Sequence, residues 1–138
     1  DYIKRQIRTF AMLKMNMHSL YMEHTFAGAS HPLYATEEGS YTPEELREIV
    51  AYAKNYHVEI VPQQQTFGHL HKVLKYEKYN RLAEVPYGDV LTPQEEGSFE
   101  FVADLYKEIN EIFPSRFFHI GADETFELGE GRSREEAK

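Results

Sequence analysis

Arg116-Phe117-Phe118-His119-Ile120-Gly121-Ala122-Asp123-Glu124-Thr125 is the stretch that decides the fold. A short apolar run meets a glycine and stops at two adjacent carboxylates. Pro114 and Ser115 precede it, and a bulky run of this length reads as a buried strand. Carboxylates are costly inside such a run, so Asp123 and Glu124 belong at its carboxyl end. Parallel α/β sheets and barrels carry their chemistry at that end of their strands.

Working outward, the same pattern of an apolar run followed by a polar cluster occurs twice more. Met15 to Met22 reads as a strand and is followed by Glu23-His24-Thr25-Phe26. Val58-Glu59-Ile60-Val61-Pro62-Gln63 is rich in β-branched residues and is followed by Gln64-Gln65-Thr66-Phe67-Gly68-His69. Helical spacing separates these runs. Ile3, Ile7, Phe10 and Leu13 share one face of a first helix. Thr42-Pro43-Glu44-Glu45 opens a second, with Thr42 as cap, Pro43 at the first position and Glu45 completing a capping box. Leu46, Ile49, Val50 and Ala53 form its buried face, and it should end near Asn55 or Tyr56. Residues 70–79 read as a short helix. Thr92-Pro93-Gln94-Glu95 repeats the capping pattern ahead of a long amphipathic helix marked by Phe99, Val102, Leu105, Tyr106, Ile109 and Phe113 and stopped by Pro114. Residues 27–41 form a long loop, 80–91 are irregular, 126–131 form a Gly-punctuated loop, and Arg132 and Arg134 read as a solvated helix start.

The order helix, strand, helix, strand, helices, strand implies right-handed βαβ units in an α/β fold with parallel strands. All three polar clusters then fall on one edge, the layout of a (β/α)-barrel active face. Three strands are too few to close a barrel, and alone they leave open sheet edges. The chain starts inside a helical pattern at Asp1 and ends mid-element, so it reads as an excised segment.

Composition narrows the function. The 138 residues are 41% hydrophobic and 28% charged, with formal charge −8 and a sequence pI of about 5.3. Such a chain is globular, and its lack of a basic patch argues against nucleic acid or an anionic membrane as partner. With no cysteine, disulfides and thiolate metal sites are excluded and the compartment is left open. No apolar stretch reaches membrane-spanning length. The 10 Tyr and 9 Phe residues supply core and interface area, with some available to line a pocket.

Asp123 and Glu124 are the leading candidates for chemistry. Neighbouring carboxylates repel, so one tends to keep its proton and can act as a general acid while the other stays anionic. A partly dry pocket would raise the Glu124 pKa further. His119 and Gly121 share the strand face of Asp123, which would put His119 beneath it as a hydrogen-bond partner, or simply as a satisfied core histidine. His69 and His71, with His119 and Asp123, offer a metal-dependent alternative, although no helical His-Glu-x-x-His pattern occurs. Gln63, Gln64 and Gln65 suit hydroxyl-rich ligands and loop hydrogen bonds equally. Phosphate-binding glycine loops and Gly-x-Ser-x-Gly elbows are absent.

At the level of motifs, His119-Ile120-Gly121-Ala122-Asp123-Glu124 resembles the His-x-Gly-x-Asp-Glu signature of glycoside hydrolase family 20, the β-N-acetylhexosaminidases. Val61 to His69 is similar to the family's third-strand segment ending in Gly-His. Leu13 to Met17 with Tyr21 to Phe26 is a third match, and the Gln65-to-His69 and Leu128-to-Gly131 wording looks closest to the hexosaminidase D-like branch. The resemblance spans nearly the whole chain in order. It implies a partial (β/α)8 TIM barrel, roughly helix 1 through strand 4, with helices outside. Residues 1–138 would be a single segment of the catalytic domain, lacking the first strand and the second half.

The resemblance further implies removal of terminal non-reducing N-acetyl-β-hexosamine from a small substrate or glycan, with retention and with no metal or cofactor. The substrate's own acetamido oxygen would be the nucleophile. Asp123 would orient that group and stabilise the oxazolinium charge. Glu124 would protonate the leaving oxygen and then activate water. His69, Glu23 and His119 would serve substrate binding, with His119 buttressing Asp123. Two departures stand out: Glu23-His24 replaces the usual Asp-Asp wording, and there is no Trp. The aromatic wall and the acetamido-assisting tyrosine would come from later strands. A carbohydrate-binding or structural half-barrel without catalysis is the alternative.

Overall fold

The computed structural model describes residues 1–36 and 38–137; Glu37, inside the expected 27–41 loop, and Lys138 lie outside the described residues. Helix α1 (Tyr2–Met12) leads into strand β1 (Met17–Met22), then α2 (Pro43–Lys54), β2 (Glu59–Gln64), the short α3 (His71–Leu74), a 3-10 turn at Asn80–Leu82, and α4 (Glu96–Asn110). Strands β1 and β2 pair in parallel, with Met17 opposite Glu59 and Tyr21 opposite Gln63. This is the expected α/β architecture of part of a barrel.

Helix α2 forms for the reason its sequence suggests. The Thr42 side chain accepts from the Glu45 amide at 3.2 Å, and the Glu45 carboxylate accepts from the Thr42 amide at 2.9 Å, so two orphan donors are satisfied reciprocally. Leu46, Ile49 and Ala53 are its buried face. Helix α1 buries Ile3 and Ile7, while Leu13 falls past its end and stays exposed.

Three expectations need correction. First, the 116–121 run is not a continuous strand. It pairs with β2 through a single parallel bridge, Gln63 to His119, closed by the His119 amide to Pro62 O (2.9 Å) and the Gln64 amide to His119 O (3.0 Å). It has a pairing partner on one side only, Phe117 and Ile120 are exposed, and the backbone turns to positive φ at Gly121. Second, Thr92 does not cap α4. It is fully buried, its amide bonds Leu82 O at 2.8 Å, and the helix starts later from Glu95 without a side-chain cap. Tertiary pairing of Leu91 with Ala83 draws Thr92 into the core. On α4 the buried centre is Phe101, with Leu105 and Ile109, while Phe99 faces out. Third, residues 126–137 form turns; Arg132 instead pairs with Glu95 at 2.8 Å.

That C-terminal turn is held by Glu84, only 1% exposed. One carboxylate oxygen accepts from the Gly131 amide (3.1 Å), the Ser133 amide (2.9 Å) and the Ser133 hydroxyl (2.8 Å). Burial opposes its charge, but the Ser133, Thr92 and Gly131 donors prevail and hold its pKa below the ordinary 4.5.

The core lies between the helices and one face of the sheet: Leu20, Met22 and Ile60 pack with Ile7, Leu46, Leu70, Phe101 and Ile109. Alternation leaves Met17, Ser19 and Tyr21 on the opposite face. Register aligns Tyr21, Gln63 and His119 in one row across it. No helix among the described residues is long and apolar enough to cross a membrane.

Candidate active site

Two loop segments meet beyond the strand ends. One continues β2 through Gln65 to His69; the other runs from His119 to Thr125. Gly68 lies so close to the second segment that a Cβ there would sit 2.8 Å from Asp123 O, and a Cβ on Gly121 would sit 2.9 Å from Gln65 Cα and overlap the Gln65 amide. Glycine is required at these crossings by close backbone approach, and at Gly121 also by φ +71°. Of the six described non-glycine residues with positive φ, three belong to this crossing: His69, Ala122 and Glu124. Each such residue is strained, and strain of this kind collects at functional sites.

The backbone turn gives the adjacent carboxylates different partners. Gln65 Nε2 donates to Asp123 Oδ1 at 2.9 Å. An ionised carboxylate only accepts, which sets the orientation of the Gln65 amide. This bond, then Asp123's own amide, and then the nearby His69 and His119 hold the Asp123 carboxyl below the usual range. Glu124 Oε2 instead lies 3.4 Å from His69 Nε2, with its side chain 60% exposed. The partly dry pocket expected around Glu124 is therefore not supplied by these residues.

His119 does not hydrogen-bond Asp123. Its Nδ1 accepts from the Gly121 amide at 3.1 Å. The common face expected of residues 119, 121 and 123 requires extended backbone, and the chain leaves that conformation at Gly121. Glu23, at the end of β1, receives the Tyr21 hydroxyl at 3.0 Å. Tyr21 joins Glu23 to the rest of the site: its phenol pKa is raised by burial and by Glu23, with Asp123 adding its charge and Gln65 opposing. Buried Tyr34 donates to Glu23 O, and Gln64 Nε2 reaches Met22 O at 3.2 Å, tying the end of β1 to the end of β2. His24 is 2% exposed, and burial lowers its pKa to about 4, so its imidazole is neutral.

Tyr21 is a site residue that the sequence reading did not single out, and Gln65 entered it only as one of three amides suited equally to ligands and to loop hydrogen bonds. Tyr21 carried a usable signal, an outward-alternating tyrosine at a strand end. Gln65 carried none beyond its place in a run of three amides. The metal-dependent alternative is not assembled. Among the described residues, the group of three or more His, Asp or Glu that brings its ligand atoms together is Glu23, His24 and His71, without His119 or Asp123.

Fold and site together define a parallel (β/α)-barrel segment whose polar groups gather at the carboxyl ends of its strands. A family model described as glycosyl hydrolase family 20, catalytic domain, matches residues 1–135, and the chain belongs to that family. It is 33% identical over 134 residues to Hexosaminidase D of Bos taurus, covering 96% of this chain and 39% of that protein. It is 36% identical over 96 residues to Hexosaminidase D of Homo sapiens, covering 68% and 20% respectively. Among solved structures, a chitobiase of Flavobacterium johnsoniae superposes with TM-score 0.84 at 26% identity over 99% of this chain and 23% of that one. A mutant Streptomyces plicatus β-hexosaminidase in complex with its product GlcNAc gives 0.77 at 29% identity, over 89% and 29%. The chain spans about two fifths of the length of the bovine relative and less of the others.

Proposed function

We propose that this chain is the acid-bearing segment of a β-N-acetylhexosaminidase that releases terminal N-acetylhexosamine with retention. The observation that carries the reading is the unequal treatment of two adjacent carboxylates. Asp123 is held as an anion by Gln65, and Glu124 points to His69. Ordinary glycosidases need a set gap between a carboxylate nucleophile and a separate acid on either side of a sugar, and adjacent carboxylates are not required to keep one here. They suffice when the substrate supplies the nucleophile.

The acetamido oxygen attacks the anomeric carbon while Glu124 protonates the departing glycosidic oxygen. Asp123 accepts from the acetamido N–H and balances the positive charge of the oxazolinium. Water then adds to the anomeric carbon, giving its proton to Glu124, and the acetamido group is restored. His69, 3.4 Å from the Glu124 carboxylate, supports it or bonds a sugar hydroxyl. Glu23 and Tyr21 form a hydroxyl-binding edge, and His119 fixes the turn at Gly121. No metal or cofactor enters these steps. Sugar specificity is supported by the GlcNAc bound in the Streptomyces plicatus relative.

The test is hydrolysis of aryl N-acetyl-β-glucosaminides by the full-length protein that contains this chain. Glu124→Gln should slow substrates with poor leaving groups by about 10²–10⁴-fold and spare activated ones. Equal rates on a poor leaving group would remove Glu124 as the acid. Sugar binding without turnover by the unaltered protein would favour a non-catalytic binding role instead.

A further inference from the structure

One cluster of side chains shares only Glu23 with the reaction above. Glu23, His24 and His71 each bring a ligand atom to within 4.8 Å of the others. His24 is almost fully buried, and neither of its ring nitrogens makes a well-formed hydrogen bond, the Tyr34 backbone being only a weak partner. Buried polar atoms are normally satisfied, so an imidazole this poorly satisfied points to a missing partner. Its surroundings say which kind. His24 Nε2 faces Glu23 Oε1 at 3.8 Å. The His71 ring meets the His24 ring edge-on with centroids 5.7 Å apart. The other Glu23 oxygen is held by the Tyr21 hydroxyl, and the Glu23 backbone carbonyl by Tyr34. The carboxylate is thus oriented from outside with one oxygen aimed inward, as supporting groups orient metal ligands.

We propose that Glu23, His24 and His71 bind a divalent transition cation of the zinc type, clamping the end of β1 to the start of α3. Two imidazole nitrogens and one carboxylate oxygen suit zinc or cobalt, whereas magnesium and calcium take oxygen ligands. Bonds of about 2.1 Å in a tetrahedral site place ligand atoms roughly 3.4 Å apart. His71 is exposed, so its ring is free to turn toward the buried His24 and Glu23. Lys72 places an opposing positive charge near His24, and it is exposed, so its ammonium stays in water. The ion's place in the architecture is structural. His69, two residues before His71, holds φ +60° beside Glu124, and the clamp would fix the turn that carries it.

The experiment titrates the metal-stripped full chain with Zn²⁺ by calorimetry and with Co²⁺ by visible absorption, without substrate. One Zn²⁺ per chain, the intense visible bands of four-coordinate cobalt and a higher thermal midpoint with zinc are expected. His71→Ala, at an exposed position, should weaken zinc binding at least tenfold and abolish the cobalt bands. His24→Asn should do the same, and His57→Ala, at an exposed histidine after α2, should change neither. Zinc affinity within twofold of the unaltered chain in His71→Ala, or six-coordinate cobalt alone, would overturn the site and mark the binding as adventitious. Loss of glycosidase activity would not bear on this result.

Discussion

Gly121→Ala is the most direct test of how the carboxylate pair is positioned. Two costs add at this residue. The first is backbone strain: an alanine at φ +71° lies in the left-handed region, at about 1–2 kcal/mol. The second is a collision, because the new Cβ sits 2.9 Å from Gln65 Cα and overlaps the Gln65 side-chain amide. The Gln65 backbone cannot retreat: the residue is fully buried and its backbone N–H bonds Met22 O at 3.0 Å. The His119–Thr125 segment must therefore move away, stretching the Gln65–Asp123 bond and the bond from the Thr66 hydroxyl to Ile120 O (2.8 Å). Overpacking of this sort costs about 1–3 kcal/mol, so the total is roughly 2–5 kcal/mol. Gly39→Ala isolates the first cost, since Gly39 has φ +80° and nothing within 4 Å of its Cβ position. The unfolded-state entropy change is common to both variants and cancels. Calorimetric unfolding should put Gly121→Ala below Gly39→Ala by about 4 °C for each kcal/mol of difference. On an aryl N-acetyl-β-glucosaminide, a carboxylate pair displaced by ~1 Å should lower kcat/KM on the order of 100-fold in Gly121→Ala and leave Gly39→Ala near wild type. Equal melting points and equal kcat/KM for the two variants would refute the close-packed crossing.

Three further outcomes follow from the same geometry. Gln65→Leu removes the hydrogen bond that chiefly lowers the Asp123 pKa, so the acidic limb of kcat/KM should move to higher pH; an unmoved limb would mean that Asp123 need not be anionic. Glu84 has a folded pKa below its ordinary 4.5, so its stabilisation is fully present above that pH and is lost as pH falls through the folded value. Glu84→Gln should therefore be less stable by about 2 kcal/mol at neutral pH, with the gap to wild type narrowing under acid in denaturant titrations; a gap that is constant with pH would show that the charge is not what anchors Ser133. Thr42→Ala, which breaks the capping box, should destabilise by about 1 kcal/mol in the same assay, and an unchanged midpoint would show that packing alone holds α2.

Local pattern was enough to determine much of this molecule. The 3.6-residue spacing of Ile3 and Ile7, and of Leu46, Ile49 and Ala53, marks helices whose buried faces are the observed ones. The capping box at Thr42 is formed by residues three apart, so it can be read without any tertiary information. Alternation of helices with β-branched runs was sufficient for a parallel pair and for the placing of polar clusters beyond the strand ends. Tertiary structure decided what depends on distant neighbours. Whether 116–121 is a strand depends on lateral pairing, which here amounts to one bridge to Gln63. Whether Thr92 caps a helix depends on Leu82, whose carbonyl takes its amide. The partners of Asp123 and Glu124 depend on backbone turns at Gly121, Ala122 and Glu124, which rotate the side chains off the alternation that a sequence reader assumes. Gln65 and His69 then meet the carboxylates from a chain segment more than fifty residues earlier. His24 and His71 converge in the same way across the fold. Periodicity reports which face a residue shares with its neighbours in sequence, whereas contacts across the fold are set by packing that no local window contains.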